Sequence, residues 1–298
     1  MAEVLSSQTG AKQTMSAWTK VVESSETLPV QYRNFLEAQI KKDQKFPYTL
    51  LAPSLVKPRG RTTEKLIVDT GDSIHILERK NNLVDSKSYA YQDICTMELG
   101  SILLGSWLTV DGISSSGTAD IATIDFNTSS MRHYEVLMKK MRPANSGDQP
   151  ANTEKDKFDF LSEINFKLMN YGRSSLVSGE SVRQIIFQPE IKKPFWTLLG
   201  DLFQKLVTPP HLTVLTDLEL ILIEDIGRGR QAHEARYGGI WQYIPLHSIR
   251  SAKWLEADEE RLTLTITVRT GRVIEKIFAG SNKPELVRLC AQIQEMTG

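Results

Sequence analysis

Ala52-Pro53-Ser54-Leu55-Val56-Lys57-Pro58 is matched further along the chain by Gln188-Pro189-Glu190-Ile191-Lys192-Lys193-Pro194. The spacing of about 136 residues is too long for a solenoid repeat and is typical of two tandem domains. After each copy the same features follow in the same order: a strand, a turn that begins at a threonine, and further strands ending at Phe126 or Phe278. A helical pattern then closes each copy. The sequence therefore predicts one fold, used twice.

The strand pattern is clearest in the second copy. Leu262, Leu264, Ile266 and Val268 alternate with polar residues, which is the period of a half-buried strand. Hairpins are predicted around Thr70 and around Thr216, where short apolar runs flank a polar turn. Both copies are thus expected to be mainly β, with antiparallel sheets.

Composition shifts divide the chain. We predict a flexible N-terminal arm over residues 1–28, a first unit over 29–143, a linker over 144–156 and a second unit over 157–298. The linker prediction follows from a run of proline and small polar residues after position 143. Apolar residues at helical spacing predict an amphipathic helix directly ahead of each unit. These residues are Tyr32, Phe35, Leu36 and Ile40 in the first copy, and Phe158, Leu161, Ile164, Leu168 and Tyr171 in the second.

Charge and cysteine content exclude several classes. Lysine plus arginine and aspartate plus glutamate both total 36 of 298 residues, so no overall basic charge recruits nucleic acid, and no nucleic-acid partner is expected. The two cysteines, Cys95 and Cys290, lie in apolar runs and are expected to be reduced thiols. No signal peptide or span of about 20 apolar residues is visible, which predicts a cytoplasmic protein.

A family resemblance rests on the segments around Asp69-Thr70, Leu215-Thr216-Asp217, Tyr89 to Ile94 and Tyr243 to Ile249, together with the closing helices. These resemble the bacterial pleckstrin-homology-like (PH-like) domains over about two thirds of the chain, twice over. The resemblance implies two tandem seven-stranded bent barrels, each closed by a C-terminal helix. It implies a recognition scaffold without catalytic residues.

No enzyme chemistry is predicted from the residues themselves. The five histidines are dispersed, and none is paired with another at metal-ligand spacing. The sequence also lacks a nucleophile elbow or a P-loop. We therefore expect no enzymatic activity, no catalytic residue, no metal site and no cofactor.

One insertion distinguishes the second copy from the first. It is predicted to be an amphipathic helix over residues 195–206, with apolar residues at i, i+3, i+4 and i+7. Three environments are open for its apolar face: the chain's own core, the groove of a partner protein, or a membrane interface. The candidate binding residues are Phe195, Trp196, Leu199, Leu202, Phe203 and Leu206.

A basic loop offers a second candidate site. In phosphoinositide-binding members of the wider family, a lysine followed by two arginines clamps phosphates near the corresponding loop, and the matching positions here are Lys57, Arg59 and Arg61. The second copy departs from this pattern, because only Lys192 and Lys193 precede an apolar run. All five residues are candidate anion-binding residues.

These observations predict a non-catalytic binding or scaffolding protein that engages a protein partner or another copy of itself. The alternative is a peripheral membrane protein that binds anionic lipid headgroups through the basic loops and the inserted helix.

Overall fold

A computed structural model describes residues 17–39, 45–57, 60–80, 83–102, 105–143, 152–194, 204–225, 238–258 and 260–298. The chain divides into two compact units. Unit 1 comprises residues up to Ile94 and Ser101–Met141, and unit 2 comprises Cys95–Gly100 and Arg142–Gly298. Both are built mainly from antiparallel strands.

A five-stranded antiparallel sheet forms the larger part of unit 1. Its strands are β1 (Lys20–Val22), β2 (Tyr48–Ala52), β5 (Lys65–Asp69), β6 (Ser73–Lys80) and β7 (Leu83–Ala90), in the order β1-β2-β5-β6-β7. A short hairpin of β3 (Val56–Lys57) and β4 (Gly60–Arg61) lies between β2 and β5 in the chain. Strand β7 is the last strand in the order of the five-stranded sheet and is therefore one of its edges.

The helix predicted ahead of the first unit is α1 (Val30–Gln39). Its buried Tyr32 and Leu36 pack with Leu66, Val68 and Leu77 of the sheet. This packing explains the helix better than propensity does, since a helix of ten residues is marginal on its own.

The rest of unit 1 follows strand β8 (Ile94–Ile102), of which only the end residues belong to this unit. Strands β9 (Gly105–Ile113) and β10 (Ala119–Asn127) form an antiparallel pair, and helix α2 (Met131–Met141) closes the unit. Phe126 at the end of β10 stacks on Tyr134 of α2, with 3.7 Å between ring centroids. That contact fixes the closing helix over the core.

Unit 2 begins with two helices, α3 (Asn152–Asp156) and α4 (Phe166–Ser175). Strands β11 (Val182–Gln188), β14 (His211–Thr216), β15 (Glu219–Glu224) and β16 (Gly238–Pro245) form one sheet, and Cys95–Gly100 of β8 lies beside β16. Strands β12 (Ile191–Pro194) and β13 (Gln204–Thr208) make a separate hairpin.

A three-stranded sheet and a helix complete unit 2. The sheet has the order β17 (Ile249–Asp258), β18 (Arg261–Val268) and β19 (Val273–Ala279), and the helix is α5 (Lys283–Thr297). Leu262, Leu264, Ile266 and Val268 of β18 are buried, as their alternation predicts. They pack against Leu286, Leu289 and Ile293 of α5.

The two halves of the chain carry equivalent elements in the same order. Each has four main strands, a short 3-10 turn (Tyr91–Asp93 or Leu246–Ser248), three strands, a second 3-10 turn and a closing helix. The predicted threonine turns are also alike: Thr70 Oγ1 donates to the carbonyl of Ser73 at 3.2 Å, and Thr216 Oγ1 donates to that of Glu219 at 3.1 Å. Positions in one half can therefore be matched to positions in the other.

Five predictions need correction. Within the described residues no sheet closes into a barrel, because each strand order is linear and ends in edge strands. The arm over residues 1–28 is not flexible throughout: β1 pairs with β2, and Val22 and Leu28 are buried. Residues 1–16 lie outside the described part.

The last five residues of the predicted linker over 144–156 form helix α3. Glu154 in this helix accepts hydrogen bonds from the backbone of Val182 at 2.5 Å and from Lys157 at 2.9 Å, which hold the segment on unit 2. Residues 144–151 lie outside the described part. The helix leading unit 2 begins only at Phe166, because Asn165 caps it by accepting from the Leu168 amide at 2.9 Å.

Residues 195–203 of the predicted inserted helix also lie outside the described part. Its last residues, Gln204 to Leu206, are strand rather than helix, since β13 pairs with β12.

Candidate functional site

Unit 1 contains an open cleft of about 200 Å³ between the β5–β6–β7 side of its sheet and strand β10. Its charged lining residues are Lys65, Glu78, Asp85 and Lys87. The remaining lining residues are Ile76, Ile121, Ala122 and Thr123. The lining of the cleft thus combines apolar side chains with charges of both signs.

Strand register explains why these side chains meet. Lys65 of β5 lies opposite Glu78 of β6, Glu78 lies opposite Asp85 of β7, and Ile76 lies opposite Lys87. Opposed residues in antiparallel strands point to the same face, and so do residues two apart. One face of three neighbouring strands is therefore directed at β10.

The cleft charges compensate one another. Lys65 Nζ lies 3.7 Å from Glu78 Oε1, and Lys80 Nζ lies 3.6 Å from Glu78 Oε2 and 3.3 Å from Asp85 Oδ2. Burial alone would raise the pKa of Glu78, but a 2.5 Å hydrogen bond from Thr63 Oγ1 and the two lysines lower it below its ordinary value. The Glu78 carboxylate is therefore ionised, and Thr63, Lys65 and Lys80 are its partners.

Lys87 lines the cleft and connects β7 with β10. Its ammonium group donates to Asp120 Oδ1 at 2.7 Å and to the Ile121 carbonyl at 2.6 Å, both on β10. Beside it, the Ser115 amide donates to the Ser88 carbonyl at 2.9 Å. The edges of β7 and β10 are therefore tied together here, and the cleft lies alongside.

In unit 2 an extended segment of β8 lies at the place that corresponds to Lys87 and Asp120 of unit 1. Gln242 and Lys87 each lie four residues before the first 3-10 turn of their halves, and Arg272 and Asp120 each lie six residues before the matched phenylalanines Phe278 and Phe126. Gln242 Nε2 donates to Glu98 Oε2 at 2.9 Å, and Arg272 Nη2 lies 3.6 Å from the same oxygen.

Further contacts hold the added segment. Arg272 Nη1 donates to Thr96 Oγ1 at 3.4 Å, Ser248 Oγ donates to the Cys95 carbonyl at 2.8 Å, and the Cys95 side chain is part of the unit 2 core. In unit 1 the two matched residues, Lys87 and Asp120, bond each other. In unit 2 their counterparts, Gln242 and Arg272, both bond Glu98 of the extended segment beside β16.

The predicted anion-binding residues do not form a cationic cluster among the described residues. Lys57 Nζ lies 2.5 Å from Asp125 Oδ1, and its counterpart Lys193 lies 3.1 Å from Asp258 Oδ2. Lys192 lies 2.5 Å from Glu190 Oε1. Arg61 is exposed on β4, and Arg59 lies outside the described residues. The hairpin lysines are thus each matched by a carboxylate.

Most of the predicted apolar binding residues lie outside the part of the chain that the structure describes. Phe195, Trp196, Leu199, Leu202 and Phe203 lie outside the described residues, and Leu206 lies on β13 with 37% of its surface exposed.

The cleft residues were not predicted as a site. The available signal was the polar character of Leu83-Val84-Asp85-Ser86-Lys87-Ser88, which is typical of an edge strand. That β10 faces this edge is a matter of tertiary structure.

No protein-family model matches the chain, and no curated protein matches it. Among the residues that the structure describes, no group of three histidine, cysteine, aspartate or glutamate side chains is placed to hold a metal ion. None of the described helices has both the length and the apolar content needed to cross a membrane.

Proposed function

We propose that this chain is a non-catalytic binding protein of two PH-like units, and that the cleft of unit 1 receives a protein partner. The proposal is supported chiefly by the position of the cleft beside the first part of the outer edge of β7, ahead of the Ser88 carbonyl that accepts from Ser115, where a second strand can pair with the backbone. Strand addition of this kind takes affinity from main-chain hydrogen bonds and specificity from the side-chain pockets alongside.

The PH-like assignment is supported by the order of elements in each half, four strands followed by three strands and a closing helix. This is the order that the family resemblance implies.

The chemistry of the cleft favours binding over catalysis. General acid–base catalysis needs a group free to exchange a proton with a bound substrate. Here Lys65 and Glu78 face each other, and Lys87 is bonded to Asp120. Such self-compensated charges suit recognition of a polar backbone.

The membrane alternative depends on basic residues that could reach lipid phosphates. Lys57 and Lys193 are instead engaged by Asp125 and Asp258 within their own units. Binding to anionic lipid would have to compete with these pairs, so we rank it second.

Site-specific photo-crosslinking in cells tests the proposal. A photoreactive residue replaces Ile121, which lines the cleft and is 47% exposed, and a matched control replaces Val136, which is 42% exposed on α2. We expect a protein adduct at position 121 and none at position 136. Absence of an adduct at 121, combined with co-sedimentation with phosphatidylglycerol vesicles but not phosphatidylcholine vesicles, would favour the membrane alternative.

A further inference from the structure

A buried histidine lies at the base of the separate hairpin of unit 2, which consists of strands β12 and β13. His211 is the first residue of β14 and pairs in register with Gln188, the last residue of β11. The chain leaves Gln188 for β12 and returns from β13 to His211, so this pair forms the base of the hairpin. Movement of the hairpin relative to the sheet of β11 and β14 therefore takes place next to His211.

Prolines flank this base in both connections. Pro189 lies between β11 and β12, and Pro209 and Pro210 lie between β13 and β14. Because proline has no backbone N–H, these positions cannot donate the hydrogen bonds that would extend the ladder of β11 and β14 into the hairpin. Two buried side chains contact them instead. Gln188 Nε2 donates to the Pro189 carbonyl at 2.8 Å, and His211 Nδ1 donates to the Pro209 carbonyl at 3.2 Å.

The two ring nitrogens of His211 have different environments. A carbonyl oxygen only accepts, so the contact with Pro209 makes Nδ1 the protonated nitrogen and leaves a lone pair on Nε2. Nε2 is buried and has no hydrogen-bond partner among the described residues. The ring of Phe278 packs against the imidazole at a steep angle, with 4.8 Å between centroids. A second proton would therefore place a positive charge and an unpaired N–H donor in a buried site, which costs free energy.

The charged groups that face His211 come from two neighbouring strands. Glu224 of β15 lies opposite His211 in register and accepts from Lys276 of β19 at 2.5 Å. Burial lowers the pKa of His211 from 6.5 to about 4, and Lys276 acts in the same direction. The hydrogen bond to Pro209 and the charge of Glu224 act in the opposite direction but do not outweigh burial. These surroundings favour the neutral imidazole.

One ion pair also joins the hairpin to the three-stranded sheet of unit 2. Lys193 Nζ on β12 lies 3.1 Å from Asp258 Oδ2 at the end of β17, and both side chains are partly exposed. An exposed pair of this kind contributes little to stability. Arg261 and Lys193 hold the pKa of Asp258 far below its ordinary value, so this pair stays ionised in mild acid. The contact made by His211, in contrast, depends on its protonation.

We propose that protonation of His211 opens the base of the hairpin, with Pro189 and the Pro209-Pro210 pair as the hinge, so that β12 and β13 move away from the sheet of β11 and β14. Because the folded pKa of His211 is the lower one, the stabilisation by its neutral ring is fully present above pH 6.5. It is lost as the pH falls from 6.5 through about 4. This device lies in unit 2 and does not depend on the cleft of unit 1.

Hydrogen exchange of the full chain, detected by NMR, measures this opening at single amides. The reporter is the Asp225 amide, which donates to the Pro210 carbonyl at 3.0 Å and loses this acceptor when the base opens. Relative to intrinsic exchange at each pH, its protection should fall about 25-fold from pH 7.5 to pH 5, the factor given by a His211 pKa of about 4 when closed and 6.5 when open. Glu180 Oε1 lies 3.1 Å from Thr216 Oγ1 at the other end of β14, so this opening leaves that carboxyl in place.

Two histidine variants separate His211 from other titrating groups. His211→Gln keeps a side-chain donor for the Pro209 carbonyl but takes up no proton in this range, so protection of the Asp225 amide should be nearly independent of pH. The matched control is His247→Gln, at an exposed histidine of the first 3-10 turn of unit 2, which should keep the wild-type fall. If His211→Gln does not fold, the Cε1–H resonance of His211 in the wild type serves instead, and it should titrate well below pH 6.5.

Three results would overturn the proposal. The first is protection of the Asp225 amide that is the same at pH 7.5 and pH 5, or that falls equally in His211→Gln. The second is a His211 ring that titrates near pH 6.5 in the folded wild type. The third is protection of the Asp225 amide as high as that of the most protected amides of β18, because exchange would then require unfolding of the unit and not a local opening at the hinge.

Discussion

Arg142 Nε donates a 2.9 Å hydrogen bond to Glu219 Oε1 in the interior of unit 2. Both side chains are buried, and a second buried carboxylate, Glu180, lies 3.5 Å from the same guanidinium group. The ring of Tyr243 lies beneath the guanidinium, 4.1 Å from its carbon. One buried cation thus serves two buried acids, and only one acid can be ionised without leaving an uncompensated charge.

This arrangement predicts that the stability of the fold decreases as the pH rises from the acid range to about 8. Burial, together with repulsion from Glu219, raises the pKa of Glu180 from 4.5 to about 8, although Arg142 acts in the opposite direction. Because the folded pKa is the higher one, the stabilisation is fully present below pH 4.5 and is lost as the pH rises through about 8. Chemical denaturation from pH 5 to pH 9 measures it.

The matched variant is Glu180→Gln, which keeps an acceptor for the Val177 amide, now at 2.7 Å, but has no proton to lose. Its unfolding free energy should fall less between pH 6 and pH 9 than that of the wild type. An equally steep fall would assign the effect to another group.

Asp69 should stabilise unit 1 in the opposite pH range. Burial alone would raise its pKa, but hydrogen bonds from Lys140, from Tyr91 at 2.5 Å and from the Gly71 amide at 2.8 Å lower it. A lowered folded pKa gives stability that is present above the unfolded value and is lost as the pH falls through the folded one.

Asp69→Asn should cost about 1.5–3 kcal/mol at neutral pH, the usual contribution of a hydrogen bond to a charged group. It should also flatten the acid limb of the stability curve. Tyr91→Phe serves as the control, since it removes one donor and leaves the carboxylate charge. The idea fails if Asp69→Asn and the wild type lose stability in parallel on acidification.

Gly172 in α4 provides a test of packing against propensity. Alanine favours a helix over glycine by about 1 kcal/mol, so propensity alone predicts stabilisation. A Cβ at position 172, however, would lie 2.6 Å from Phe158 Cδ1 and 3.0 Å from Leu212 Cδ2, both in the core. We expect Gly172→Ala to lower the melting temperature, because buried neighbours cannot move without strain.

The control for this change is Ser174→Ala, at an exposed position of the same helix, where little change is expected. An increase in melting temperature for Gly172→Ala would show that Phe158 and Leu212 can move to accommodate the added methyl group.

The cysteines should be slow to react in the folded protein. Cys95 is buried, and burial raises the pKa of Cys290 to about 11. Since the thiolate is the reactive form, labelling with a disulfide reagent at pH 8 should be slow without denaturant and complete for both thiols with it. Rapid labelling of one thiol in the native protein would show local opening at that site.

Local patterns in the sequence determined much of the fold. The alternation in Leu262 to Val268 gave a buried strand, and the threonine turns formed at Thr70 and Thr216. Each of these depends on neighbours in the chain, so a short window contains the cause.

Tertiary structure decided the rest. The fate of a charged residue depends on what another strand brings near it: Lys57 meets Asp125, and Lys87 meets Asp120, across separations that no local pattern specifies. In the described part of the chain the sheets end in edge strands and do not close into barrels. This follows from which strands pair, which is also a long-range choice. By itself the sequence determined that one set of elements occurs twice. Only the packing of distant strands decided that Asp120 would meet Lys87 while Arg272 would meet Glu98, because an ion pair forms where the folded backbone brings opposite charges within reach.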